Sequence, residues 1–279
     1  MESLVSTDWL DAELGAADLR ILDASWHLPG SGRDGETEFG AGHIPGAVFA
    51  DIDALSDVDS PLPHMLPPPH VMASRMRALG VDDGARIVLY DNSPLHSAAR
   101  VWWMLRSFGA RKVALLDGGL AKWLAEGRPV EQGARAPKRG HFTPMPPGGS
   151  VIDKREVLAL LGGETEIVDA RSAARFAGAE PEPRPGLASG HMPGAKSVPQ
   201  GMLFEGDGTW KRGDALRAAF AEAGVDLARP MVTTCGSGVT AAVLLFGAHL
   251  LGKADVRLYD GSWSEWGADP ATPKATGRA

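Results

Sequence analysis

Only one of the 279 residues is a cysteine. A lone thiol excludes an intrachain disulfide and a cysteine-based metal cage, because each needs at least two. Positive charge is also scarce. Lys and Arg number 28 against 35 Asp and Glu, a formal net charge of -7. That balance argues against non-specific nucleic-acid or anionic-membrane binding, which use basic faces. No stretch approaches the roughly 18–20 apolar residues of a membrane span. The opening Met1-Glu2-Ser3-Leu4-Val5 lacks the basic region and long apolar run of a secretory signal. His27, His70, His96, His141 and His249 are scattered without metal-ligand spacing, no His-Glu-x-x-His element is found, and no Gly-x-Gly-x-x-Gly directly follows an early strand. The expectation is a cytoplasmic chain with no organic cofactor and no metal. What is present suffices for a hydrophobic core: 44% of residues are hydrophobic and 23% charged, near the soluble average. The length exceeds that of a usual single domain, which favours two.

The two halves resemble each other. Leu22-Asp23-Ala24 returns as Val168-Asp169-Ala170. Gly42-His43-Ile44-Pro45-Gly46-Ala47 returns as Gly190-His191-Met192-Pro193-Gly194-Ala195. Asp117-Gly118-Gly119 with Trp123 returns as Asp260-Gly261-Ser262 with Trp266. Three matches in one order at nearly one offset describe a duplicated domain, with a period too long for a solenoid. The division that follows is a first domain over 1–130, a linker over 131–149 rich in Pro, Gly and basic residues, and a second domain over 150–279.

Short apolar runs at 20–24, 87–90 and 113–116 read as buried parallel strands, and 71–79, 97–108 and 120–126 as helices. The second half repeats this with strands at 166–169, 231–234 and 256–259 and helices at 154–161, 214–223 and 239–251. Alternation of strand and helix predicts the α/β class, with a parallel β-sheet flanked by helices in each half. Ligands of such sheets bind beyond the carboxyl ends of strands.

At such an end stands the cysteine. Met231-Val232-Thr233-Thr234 runs into Cys235-Gly236-Ser237-Gly238-Val239-Thr240, and Ala241-Ala242-Val243 begins a helix. Two glycines let the backbone curl so that several N–H groups converge, and with the helix dipole they favour an anion. Cys235 is therefore a candidate nucleophile, although an unpaired cysteine is in general most often a small buried hydrophobe. The duplicate half offers an internal control. There Asp91 occupies the position of Cys235, and the following Asn92-Ser93-Pro94-Leu95-His96 contains no glycine. The first half reads as catalytically silent, with a structural and substrate-enclosing role. A cysteine phosphatase is disfavoured because the sixth residue after Cys235 is Ala241 instead of Arg. A pure interaction module would have no need of the thiol.

The Cys235–Thr240 loop, the paired His-x-Pro-Gly-Ala motifs and Asp260-Gly261-Ser262-Trp263 resemble the tandem-domain rhodanese sulfurtransferases, over almost the whole chain. The form Cys-Gly-Ser-Gly-Val-Thr is similar to the branch that uses 3-mercaptopyruvate. The resemblance implies two rhodanese-like domains and a Cys235 that accepts sulfur as a persulfide and releases pyruvate. The sulfur would pass to a thiol, a thioredoxin-type protein or cyanide. Thiosulfate users carry Arg and Lys after the cysteine, whereas here Gly236 and Ser237 follow it. A thiosulfate:cyanide sulfurtransferase is thus the alternative activity, expected to be weak.

A 2-oxo acid donor needs guanidinium partners for its oxygens. By the resemblance, Arg175 and Arg184 bind it. Their sequence context also allows ordinary salt bridges to Glu180 and Glu182. Arg171 reads as a brace for the same loop. The resemblance further implies a Ser-His-Asp relay of Ser237, His64 and Asp53, with His64 and Asp53 drawn from the first half. His43 and His191 recur in both halves, the silent one included, and read as structural.

Overall fold

The computed structural model describes residues 1–133 and 136–277. Residues 134 and 135 of the expected linker, and the last two of the expected second domain, lie outside the described residues. The chain divides into two compact units. The first comprises Met1–Val58, Leu66–Gly148 and Phe204–Trp210, and the second Asp59–Met65, Gly149–Leu203 and Lys211–Ala279. Each half of the chain therefore gives one seven-residue segment to the other unit. This exchange has no counterpart in the simple division at the linker.

In the first unit the strands are β1 (Leu4–Val5), β2 (Leu19–Asp23), β3 (Ala47–Phe49), β4 (Arg86–Tyr90) and β5 (Val113–Leu116). They form one sheet in the order β1-β5-β4-β2-β3, and every pairing is parallel. The second unit has β6 (Val151–Ile152), β7 (Glu166–Asp169), β8 (Lys196–Ser197), β9 (Met231–Thr234) and β10 (Val256–Tyr259). Its order β6-β10-β9-β7-β8 repeats the first, again all parallel. The short apolar runs of the sequence are the three inner strands of each sheet, because a strand covered on both faces is apolar at every position. Sheet edges had no such signature: β1, β6 and β8 are two residues long and β3 is three.

Both cores rest on sheet residues that alternate with covering helices. In the first unit Ile21, Val88, Tyr90 and Ala114 pack with Leu10, Phe39, Leu120 and Trp123. In the second, Ile167, Val232 and Tyr259 pack with Val157, Phe176, Trp263 and Trp266. The helix Ala241–Leu250 is apolar all round, and its residues from Ala241 to Ala248 are all buried. It lies against β9 and β10, so its amino end is fixed at the point where β9 gives way to the cysteine loop. Full burial of each Val, Leu or Phe here contributes about 1.5–3 kcal/mol.

The stretch expected to be a linker makes hydrogen bonds with the first unit. Glu131 and His43 exchange backbone hydrogen bonds, Gly140 N–H donates to Arg77 O, and Met145 N–H donates to Phe108 O. Thr143 N–H and its hydroxyl both donate to the Asp83 carboxylate. Composition marked this segment as non-regular, but its backbone groups still needed partners and found them on the unit it follows. Among the described residues, no helix is long and apolar enough to cross a membrane.

Candidate active site

All four residues of β9 are buried, and the strand is flanked by β7 and β10 on either side. The chain leaves its carboxyl end at Cys235, which is only 2% exposed. Gly238 N–H donates to Cys235 Sγ at 3.1 Å, so the sulfur faces an amide of its own loop. The two loop glycines serve different needs. Gly238 has φ of 82°, a conformation that glycine adopts without strain. Gly236 has no positive φ. A Cβ there would stand 3.0 Å from Arg175 Nη2, so its hydrogen atom leaves space for a guanidinium.

A second turn holds the loop from behind. Cys235 N–H donates to Ser262 Oγ at 3.2 Å, and Trp263 N–H to Cys235 O at 2.9 Å. Gly236 O accepts from both Ser264 N–H at 2.8 Å and Ser264 Oγ at 2.7 Å. Ser262 itself sits at φ of 48°, an uncommon conformation for a residue with a Cβ. Ser262 and Ser264 hold the cysteine loop, a role that sequence reasoning, which named Ser262 only as part of a repeated motif, assigned to neither. The repeated Asp-Gly-[Gly/Ser] motif marked this turn, but nothing in it revealed that the serines carry the cysteine loop.

His64 belongs to the second unit through the segment Asp59–Met65. Its Nδ1 lies 2.8 Å from Ser237 Oγ, and both residues are 5% exposed. The structure thus brings together two of the three expected relay members. His64 also has φ of 62°, and backbone strain of this kind tends to gather at functional sites. Asp53 lies in the first unit, where its Oδ2 accepts from Trp26 Nε1 at 3.1 Å.

Arg175 lies in the middle of the short helix Ala173–Ala177. Its Nε and Nη2 both donate to Glu182 Oε2, so the salt bridge that the sequence allowed is present. It is no surface pair, however, since the Glu182 side chain is 1% exposed. Glu182 Oε1 accepts from Arg171 Nη1 at 2.6 Å. Arg171 donates in turn to Asp169 through Nε and Nη2 and to Gly190 O at 2.8 Å, with its guanidinium 4.3 Å from the Trp263 ring centre. Arg171 is the expected brace. Arg184 is half-buried, two residues past Glu182 in the same loop.

The equivalent loop of the first unit is arranged differently. Asp91 Oδ1 accepts from Ser93 N–H at 3.1 Å and Oδ2 from Ala98 N–H at 2.8 Å. The amides that could meet an incoming anion already hold a built-in carboxylate. Burial pushes the Asp91 carboxyl up to about 7 and pushes His96 down to about 4. A cavity of about 260 Å³ opens beside this loop, lined by Asp91, Asn92, His96 and Trp210 among others. It holds no thiol. His43 and His191 donate through Nδ1–H to the backbone carbonyls of Phe39 and Phe176, at 2.9 and 2.8 Å, and stack on the phenyl rings of those same residues. Their role is structural in both units. Among the described residues no group of His, Cys, Asp and Glu could hold a metal ion.

Comparison with known proteins agrees with this architecture. Residues 6–126 and 153–269 each match the rhodanese-like domain family. The chain is 46% identical over 271 residues to the 3-mercaptopyruvate sulfurtransferase of Escherichia coli K12, covering 96% of each chain. It is 40% identical over 287 residues to the thiosulfate sulfurtransferase of Cricetulus griseus, covering 99% of this chain and 96% of the other. Among solved structures, that of SseA, a 3-mercaptopyruvate sulfotransferase from Escherichia coli, superposes with a TM-score of 0.86 at 43% identity. It covers 95% of this chain and 100% of its own.

Proposed function

We propose that this chain, which belongs to the rhodanese family and carries two rhodanese-like domains in tandem, moves a sulfur atom from 3-mercaptopyruvate to an acceptor through a persulfide on Cys235. The observation that carries this reading is the Gly238 N–H directed at Cys235 Sγ in a loop with no cation of its own. An amide there stabilises negative charge on sulfur before and after transfer.

In the proposed reaction the Cys235 thiolate attacks the donor's sulfur. The new S–S bond forms as the C–S bond breaks, and that bond's electron pair moves onto the pyruvate fragment as an enolate. A proton must then reach the methylene carbon to give pyruvate. The Ser237 hydroxyl and the His64 imidazole supply a proton route of the general acid–base kind. The proposal keeps Asp53 as the third relay member on the strength of the resemblance alone. Arg175 and Arg184 are assigned to the carboxylate and keto oxygens of the donor, and Gly236, Val239 and Thr240 complete the loop. A thiol, a thioredoxin-type protein or cyanide then removes the outer sulfur. No second cysteine is present in the sequence, so this acceptor must come from outside. A cytoplasmic location belongs to the same proposal, because a reducing compartment keeps a lone thiol available.

Thiosulfate remains the second donor, and Arg175 beside Gly236 supports a minor activity with it. Steady-state rates with the two donors and cyanide as acceptor test the assignment. A higher kcat/KM with mercaptopyruvate is expected, and a clear preference for thiosulfate overturns the donor assignment.

A further inference from the structure

Four charged side chains behind Gly236 form one continuous chain of contacts. Asp169 holds Arg171, Arg171 holds Glu182, and Glu182 holds Arg175. Their side chains are 2%, 0%, 1% and 18% exposed in that order. Two guanidiniums and two carboxylates cancel, and buried charges of this kind persist only when paired. Arg175 is the member that reaches the surface of the cluster, and its Nη2 is also the atom against Gly236.

The manner of pairing matters as much as the charge. Glu182 takes Nε and Nη2 of Arg175 from the side. An arginine has five N–H donors in a planar fork, so this side-on contact leaves the two donors of Nη1 and one of Nη2. Those three suit the end-on approach of a second carboxylate. At the same time the charge of Arg175 is already answered within the cluster.

We infer that Glu182 is a positioning residue that sets donor specificity. As a buried counter-charge it aims Arg175 at a monoanionic carboxylate and cancels the share of positive field that Arg175 would otherwise offer a dianionic donor. The inference rests on the reading of Arg175 as a donor-binding residue. It also accounts for the bare loop. A guanidinium delivered from the 171–184 segment with its counter-ion attached offers directional hydrogen bonds, whereas a cation within the loop would offer charge.

The test is Glu182→Gln, which keeps the shape and one acceptor oxygen but changes the cluster from neutral to a charge of +1. The ratio of kcat/KM for thiosulfate to that for mercaptopyruvate should rise about tenfold at low ionic strength, an increment of about 1.4 kcal/mol, and the gain should shrink as salt is added. Glu182→Asp keeps the charge and should keep the wild-type ratio, even if both rates fall. A purely structural role lowers both donors alike and leaves the ratio unchanged, and that result overturns the inference. The wild-type protein gives a readout independent of any variant's folding. Its kcat/KM with thiosulfate should depend only weakly on ionic strength, and a steep fall with salt contradicts a neutral cluster. If the wild type does not turn over mercaptopyruvate at all, the donor assignment fails. If it does, and the ratio in Glu182→Gln stays constant, only the role of Glu182 fails.

Discussion

Replacing Arg175 by Ala separates binding from chemistry most cleanly. The guanidinium lies over Gly236 and pairs side-on with Glu182. Its removal costs twice, in different observables. Glu182 keeps Arg171 as a partner at 2.6 Å, so the buried carboxylate is left half-paired, which costs about 1–3 kcal/mol of stability. The donor loses a hydrogen bond to a charged group, worth about 1.5–3 kcal/mol. At about 1.4 kcal/mol for each factor of ten, kcat/KM should fall about ten- to a hundredfold. The loss should appear mainly in KM, because the carboxylate is held before and during sulfur transfer. Arg175→Lys should recover little, since an ammonium cannot reproduce the side-on pair and the remaining fork. Pyruvate release at varied mercaptopyruvate, combined with thermal melting to establish folding, measures both effects. A folded Arg175→Ala protein with unchanged KM refutes the assignment.

The two loop glycines should fail in different ways. Gly238→Ala forces a Cβ into φ of 82° and should cost about 1–3 kcal/mol in stability, read by melting, together with slower persulfide formation. Gly236→Ala leaves the backbone unstrained but crowds Arg175, so it should raise KM for the donor with little change in Tm. Ser237→Ala and His64→Gln each break the 2.8 Å contact and should lower kcat about a hundredfold, the lower end of what a positioned acid–base group contributes; equal rates for variants and wild type exclude the relay, and Asp53→Asn applies the same kinetic test to its third member. Asp91 should show in stability against pH. Its carboxyl rises from 3.8 to about 7 on burial, so the folded protein holds a proton that the unfolded chain has released. Stability from this site is full below about pH 4 and is lost as pH rises towards 7. Asp91→Asn should remove that decline, and a Tm difference from wild type that stays constant between pH 4 and 8 contradicts the assignment.

What could be read from the sequence depended on how local its cause was. The central strands were legible because burial on both faces writes an apolar run, as at Met231–Thr234. The cysteine loop was legible because its glycines and its place between strand and helix are neighbours in the chain. The edge strands were not, since two residues such as Lys196–Ser197 carry no periodicity. Gly236 and Gly238 looked alike in sequence, and only the structure separates a glycine required by φ from one required by a neighbouring guanidinium. Glu182 was read as an ordinary partner for a surface arginine, because nothing local distinguishes a buried carboxylate between two prolines from an exposed one. The transfer of Asp59–Met65 to the second unit was equally hidden, as it depends on long-range packing. The resemblance to a family supplied His64 where spacing could not.

The central claim is that Cys235 carries the sulfur, and intact-mass measurement tests it most directly. After the purified protein is mixed with 3-mercaptopyruvate and freed of small molecules, its mass should rise by one sulfur atom. The increment should disappear on addition of cyanide and should be absent from Cys235→Ser. An unchanged mass in the wild-type protein, or the same gain in Cys235→Ser, contradicts the account.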